Sequence, residues 1–217
     1  MALHVIGGRN VRAVYVAHAF GTSNAANYSP IMSFGDASPR RLMVLGFECS
    51  HLTANLAIPH ACTIGGVTAT RDFTNPAATG GASQQFWSAL VPTGTSGTVS
   101  ISRAANMGYG NLHLWAVYDL PTPYTVVEAT FAFASPASLS LDTLAGGVAL
   151  GFAHDSGGGA SYTWTGLTEE AGSELTGSGT ASAITTSAAG KFKTLTEALA
   201  VSSNNGGSHA LNAIAYR

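Results

Sequence analysis

The chain has 217 residues, 46% of them hydrophobic and only 9% charged, with a formal net charge of -2. That length and apolar content suffice for a sizeable core, and all-β sandwiches of this size commonly form one domain. With lysine present only as Lys191 and Lys193, no basic stripe can neutralise a run of phosphates, so nucleic-acid binding is not expected.

An average globular domain carries about 25% charged residues. A surface this poor in charge consists of hydroxyls, amides and backbone, and it is weakly protected against association. Two settings tolerate that. One is a coat, fibre or oligomer whose subunits cover one another; the other is an extracellular domain with a Ser/Thr-rich exterior.

The first ten residues, from Met1 to Asn10, lack the charged region, apolar stretch and cleavage site of a signal peptide. The longest apolar runs, Leu42 to Phe47 and Val148 to Phe152, fall well short of the roughly 20 residues that cross a bilayer. No membrane insertion is expected.

Apolar residues then recur at spacing two, or in short runs bounded by Gly, Pro, Asn and Ser, which predicts strands throughout. In chain order the predicted strands are Val11 to Phe20, Arg41 to Cys49, Cys62 to Ile64, Val67 to Phe73, Gln85 to Val91, Gly97 to Ser102 and Leu112 to Leu120. Tyr124 to Phe133, Gly147 to His154, Tyr162 to Glu169, Lys193 to Ser202 and His209 to Tyr216 follow.

Gly65-Gly66 separates two of these strands with the residues that a tight hairpin needs at positive φ. Pro92 to Gly97 forms a second turn. Many short strands with regular turns indicate an antiparallel β-sandwich or jelly-roll-like fold. The segments 156–161 and 172–190 read as flexible loops, without the strand, glycine spacing and helix start of a phosphate-binding loop.

Leu-Met-Val-Leu-Gly-Phe (42–47) is echoed by Gly-Val-Ala-Leu-Gly-Phe (147–152), and His113 to Tyr118 by Leu211 to Tyr216. The chain therefore reads either as one sandwich unit over residues 1–217 or as two similar halves, 41–120 and 146–217, linked near 121–136. Convergence among strands of similar role would give the same echo.

Cys49 and Cys62 flank a twelve-residue segment that contains His51 and His60. A disulfide and a pair of buried free thiols are both compatible with that spacing. No familiar zinc spacing is present, so no metal is expected.

Acids are sparse. Glu48, Asp72 and Asp119 stand at strand ends and Glu169-Glu170 follow a strand, positions that suit solvated charge better than a paired-carboxylate site. His154-Asp155 is the nearest approach to an orienting pair, but adjacent strand residues point to opposite faces. No Gly-x-Ser-x-Gly elbow is present. No catalytic residue and no cofactor are expected.

Aromatic side chains can stack on sugars, and Tyr109, between glycines in Asn-Met-Gly-Tyr-Gly-Asn, is the aromatic expected to be exposed. Trp87, Trp115 and Trp164 lie inside strand patterns and read as core or interface. Tyr28 and Tyr162 fit either reading.

Four ordered motifs carry a family resemblance: Cys-Thr-Ile-Gly-Gly-Val-Thr-Ala-Thr (62–70), Leu-Val-Pro-Thr-Gly-Thr-Ser-Gly-Thr-Val-Ser-Ile-Ser (90–102), Ala-Gly-Gly-Val-Ala-Leu-Gly-Phe (145–152) and Tyr-Thr-Trp-Thr-Gly-Leu-Thr-Glu (162–169). At these the chain, from about Tyr28 to Arg217, resembles phage and prophage proteins of alphaproteobacteria and their viruses, read as β-sandwich virion accessory proteins. Cys62 stands where that pattern has a β-branched residue. The resemblance implies a non-enzymatic structural protein of the virion, made in the host cytoplasm, that decorates the head, neck or tail or forms part of a fibre. Its expected partners are other virion proteins and further copies of itself. The alternative is a carbohydrate-binding module that attaches particles to a bacterial surface polysaccharide.

Overall fold

The structure is a computed structural model that describes residues 11–21, 25–50, 61–75, 82–107, 110–144, 146–155, 161–171, 173, 180–185, 195–203 and 209–217. Among them the regular elements are all strands: β1 (Arg12–Gly21), β2 (Ala25–Tyr28), β3 (Ile31–Ser33), β4 (Leu42–Ser50), β5 (Ala61–Ile64), β6 (Val67–Thr68), β7 (Thr70–Thr74), β8 (Ala82–Leu90) and β9 (Ser96–Met107). They continue as β10 (Gly110–Tyr118), β11 (Val126–Ala134), β12 (Ala137–Thr143), β13 (Val148–Asp155), β14 (Tyr162–Thr165), β15 (Thr168–Glu169), β16 (Thr180–Thr185), β17 (Leu195–Ser203) and β18 (His209–Tyr216). All pairings are antiparallel. The all-β sandwich class expected from the spacing-two pattern is the class observed.

Four sheets form. One runs β1-β10-β4-β8-β7 and a second β2-β9-β5-β6, with β3 also paired to β9. Downstream, the third runs β11-β18-β13-β16-β15 and the fourth β12-β17-β14. Taken in chain order, the third sheet repeats the order of the first, and β12-β17-β14 repeats β2-β9-β5 of the second, with no counterpart of β6 among the described residues. The repeat takes in β1 to β3 and also β11 and β12, which lie outside the segments 41–120 and 146–217, so the junction between the two sandwiches falls at residues 119–125.

Among the described residues three cores hold these sheets together. Met43, Leu45, Phe47, Cys49, Trp87, Leu112 and Leu114 meet Tyr28, Met32, Cys62, Ile64, Val99 and Ile101 inside the first sandwich. Ala149, Ala153, Leu211 and Ala213 meet Ala137, Leu141 and Tyr162 inside the second. The third core lies between the sandwiches, where Leu42, Val44, Phe86, Trp115 and Val117 face Val148, Leu150, Phe152, Ile214 and Tyr216. The described residues thus form two sandwiches that share an apolar layer.

That layer explains the sequence of β10, whose nine residues are all buried. A strand covered on both faces has no polar side to alternate with, as in the near-continuous apolar runs of doubly buried sheets. Its residues divide by parity, with Leu112, Leu114 and Ala116 in the first core and Trp115 and Val117 in the shared one.

The Gly65-Gly66 hairpin joins β5 to β6, with Ile64 opposite Val67. Its glycines have φ of 60° and 80°, the double positive φ of a turn that follows strand twist. By contrast, 91–95 links β8 in one sheet to β9 in the other, and so turns the chain over the edge of the first sandwich.

Candidate functional site

Tyr109, His51 and His60 lie outside the described residues. Cys49 on β4 and Cys62 on β5 are both buried within the first core and are not joined in a disulfide. Burial pushes the Cys62 thiol up to about 12, so it is held protonated. Trp87 and Trp115 are core residues, Trp164 packs half-buried against the second sandwich's core, and Tyr28 and Tyr162 are buried.

Two features were not legible as sites in the sequence. The first is polar and sits in the shared layer. Glu48 is no solvated strand-end charge: its side chain has no exposed surface, and His154 Nδ1 lies 3.1 Å from its Oε1. Counting from Leu42 and Val148, which open their strands on the shared face, Glu48 and His154 hold the same place in the two sandwiches.

Asn111 is paired with Glu48 across β10 and β4, and Asn212 is opposite Phe152; both asparagines are fully buried. His113 Nδ1 and the Tyr15 hydroxyl are hydrogen-bonded at 2.9 Å. Burial first, and then the charge of His18, lower the His113 pKa to about 3, so its ring is neutral. At the other end of the layer the Tyr216 hydroxyl donates to Asp72 Oδ2 at 2.6 Å. Burial raises the Asp72 carboxyl, an effect opposed by hydrogen bonds from Ser88 and Tyr216. The sequence signal for this network was charge and amide placed inside otherwise apolar strands.

The second feature is a cleft of about 480 Å³ between the Gly65-Gly66 hairpin and the 91–98 segment. Thr63, Thr93, Ser96 and Thr98 bring hydroxyls to its wall, and Val67, Val91 and Pro92 bring apolar surface. Phe34, 1% exposed, forms its floor.

Arg41 builds this cleft from beneath. It is fully buried and its Cζ lies 5.8 Å from the centre of the Phe34 ring. Its Nε donates to Val91 O at 2.9 Å, Nη1 to Gly35 O and Asp36 O at 3.2 and 2.7 Å, and Nη2 to Thr93 O and Gly94 O at 2.8 and 2.9 Å. A guanidinium has five N–H groups, and all five are used. Two further bonds, Phe34 N–H to Thr95 O at 2.8 Å and Ser38 N–H to Pro92 O at 3.1 Å, complete the seam. The signal was an arginine placed directly before the apolar run 42–47.

Among the described residues that line it, the cleft offers hydroxyl and peptide groups for binding. No cluster of three or more metal-ligating side chains occurs among the described residues. Compared with known protein-family models and with curated proteins, the chain matches none.

Proposed function

We propose that the protein is a structural component of a phage particle, a homo-oligomer that decorates the head, neck or tail or forms part of a fibre and acts by assembly and adhesion. The observation that carries this reading is the pair of long edge strands. β1 and β11 end their sheets, so each leaves one row of backbone groups unpaired within the described residues. Phe20 on β1 is 41% exposed and Phe133 on β11 is 54% exposed. Long edges with exposed aromatics invite pairing with a neighbouring chain.

The low charge and the motif resemblance to virion accessory proteins support the same reading. Light scattering on the purified chain at micromolar concentration, together with rebinding to particles that lack it, tests the proposal. Oligomers that rebind support it; a monomer that leaves such particles bare overturns it.

A second reading, attachment to a bacterial surface polysaccharide, is favoured by the cleft, whose hydroxyls and peptide groups suit a hydroxylated ligand. A glycan array compares the chain with Tyr109→Ala and with Thr98→Trp, which fills the cleft. Retention of a sugar that Thr98→Trp abolishes supports it. Retention of no sugar overturns it.

A further inference from the structure

The cleft sits above a buried positive charge that five carbonyl dipoles solvate and that no carboxylate neutralises among the described residues. Buried charges are ordinarily matched by an opposite charge or a bound ion. Asp36, close by in the chain, gives Arg41 only its carbonyl and does not line the cleft.

The same seam orients the loop's amides. In a trans peptide the carbonyl of one residue and the N–H of the next point opposite ways, and the peptides of 92–95 are trans. The carbonyls of Pro92, Thr93 and Gly94 are drawn inward, to the Ser38 N–H and to Arg41 Nη2. The N–H groups of Thr93, Gly94 and Thr95 are therefore turned away from the guanidinium. None of the three has an acceptor among the described residues.

Thr93 and Gly94 line the cleft, beside the hydroxyls of Thr63, Ser96 and Thr98. Successive free amides over a buried cation form a concavity suited to an anion. We propose that the cleft binds a small oxyanion, and that its ligand is the carboxylate of a uronic-acid residue. The sugar assignment rests on the glycan-binding reading above. The carboxylate oxygens accept from the loop amides, the Arg41 charge stabilises them from below, and the neighbouring hydroxyls meet those of the sugar ring.

Amide NMR spectra of the nitrogen-labelled full chain, titrated with glucuronate, glucose and sulfate, test this. Glucuronate at millimolar concentration is expected to shift the Thr93, Gly94 and Thr95 amides saturably. Sulfate should move the same peaks, and glucose should leave them in place. Thr98→Trp, at an exposed position, should weaken glucuronate binding by about tenfold or more. Arg41→Lys keeps the charge but not the fork and should weaken it as well.

Equal shifts with glucose would overturn the anion assignment while leaving a neutral-glycan site standing. Shifts with sulfate but none with glucuronate would overturn the acidic-sugar assignment. If no probe moves these peaks, the cleft is not a binding site and both readings fall.

Discussion

The ring of Phe152, in the second sandwich, fills the space that a side chain on Gly46 of the first would need: a β-carbon on Gly46 would stand 2.7 Å from Phe152 Cδ1. The two residues hold the same place in their strands, so one sandwich supplies a gap and the other the ring that occupies it. Phe86 meets that ring edge-on at 5.1 Å between centroids, and His113 lies stacked at 6.3 Å.

Gly46→Ala is therefore expected to destabilise the chain by about 1–3 kcal/mol through overpacking, and Phe152→Ala by about 3–5 kcal/mol through a cavity. Combined with Phe152→Leu, the alanine at 46 should cost less than it does alone. Denaturant unfolding of the wild-type chain, Gly46→Ala, Phe152→Leu and their double variant gives the coupling energy; strict additivity would show that the two positions do not share one space.

Glu48 and His154 make a similar cross-layer pair, with side chains 0% and 13% exposed. Glu48→Ala should cost roughly 3–5 kcal/mol because it removes one partner of a buried polar contact, whereas Glu48→Met with His154→Leu should cost much less. Denaturation midpoints at neutral pH check both. A double variant as damaged as the single one would mean that the pair is not the reason for the loss.

Acidification should weaken the fold through His113. Its pKa is lowered from 6.5 to about 3, so above the unfolded value the two states bind the same number of protons. As pH falls below about 6.5 the unfolded chain takes up a proton that the native ring refuses, and stability drops by up to about 1.4 kcal/mol per pH unit until the native ring titrates. Asp72, raised by burial, opposes this at the acidic end, since its native form binds the proton more readily.

His113→Asn places there the residue found at the corresponding position, Asn212, and should flatten the stability profile between neutral pH and about pH 4. An unchanged slope would assign the acid sensitivity to another group.

Cys62 should resist alkylation in the native state, being 1% exposed with its thiol held at about 12. Cys49, 0% exposed, should do the same. Mass spectrometry after iodoacetamide treatment should find both modified only on unfolding. Rapid native labelling at either position would contradict the burial described here.

The doubly covered strands were the easiest to read, because runs such as Leu42 to Phe47 are long and bounded by turn residues. β16, Thr-Ala-Ser-Ala-Ile-Thr, has too little apolar contrast to declare itself. β12, Ala-Ser-Leu-Ser-Leu-Asp-Thr, alternates well but begins directly after Pro136, between the segment 121–136 that read as linker and the second half that read as starting at 146. The repeated motif was visible, yet matching letters paired Gly46 with Gly151 and Phe47 with Phe152. Phe47 points into the first sandwich and Phe152 into the shared layer, so the match is one residue out of step, and a one-residue slip reverses every facing. Arg41 could not be read as a builder of the cleft, since its acceptors at Val91, Thr93 and Gly94 are some fifty residues away and become neighbours only through the fold.

The place of β18 bears on mechanical load. The strand lies between β11 and β13, hydrogen-bonded to both along most of its length. Tension applied at Arg217 along the strand axis acts in shear on both ladders at once, so that they must rupture together, without the bond-by-bond peeling open to a strand at a sheet edge. Load borne along β18 is then resisted by two ladders of the second sandwich together.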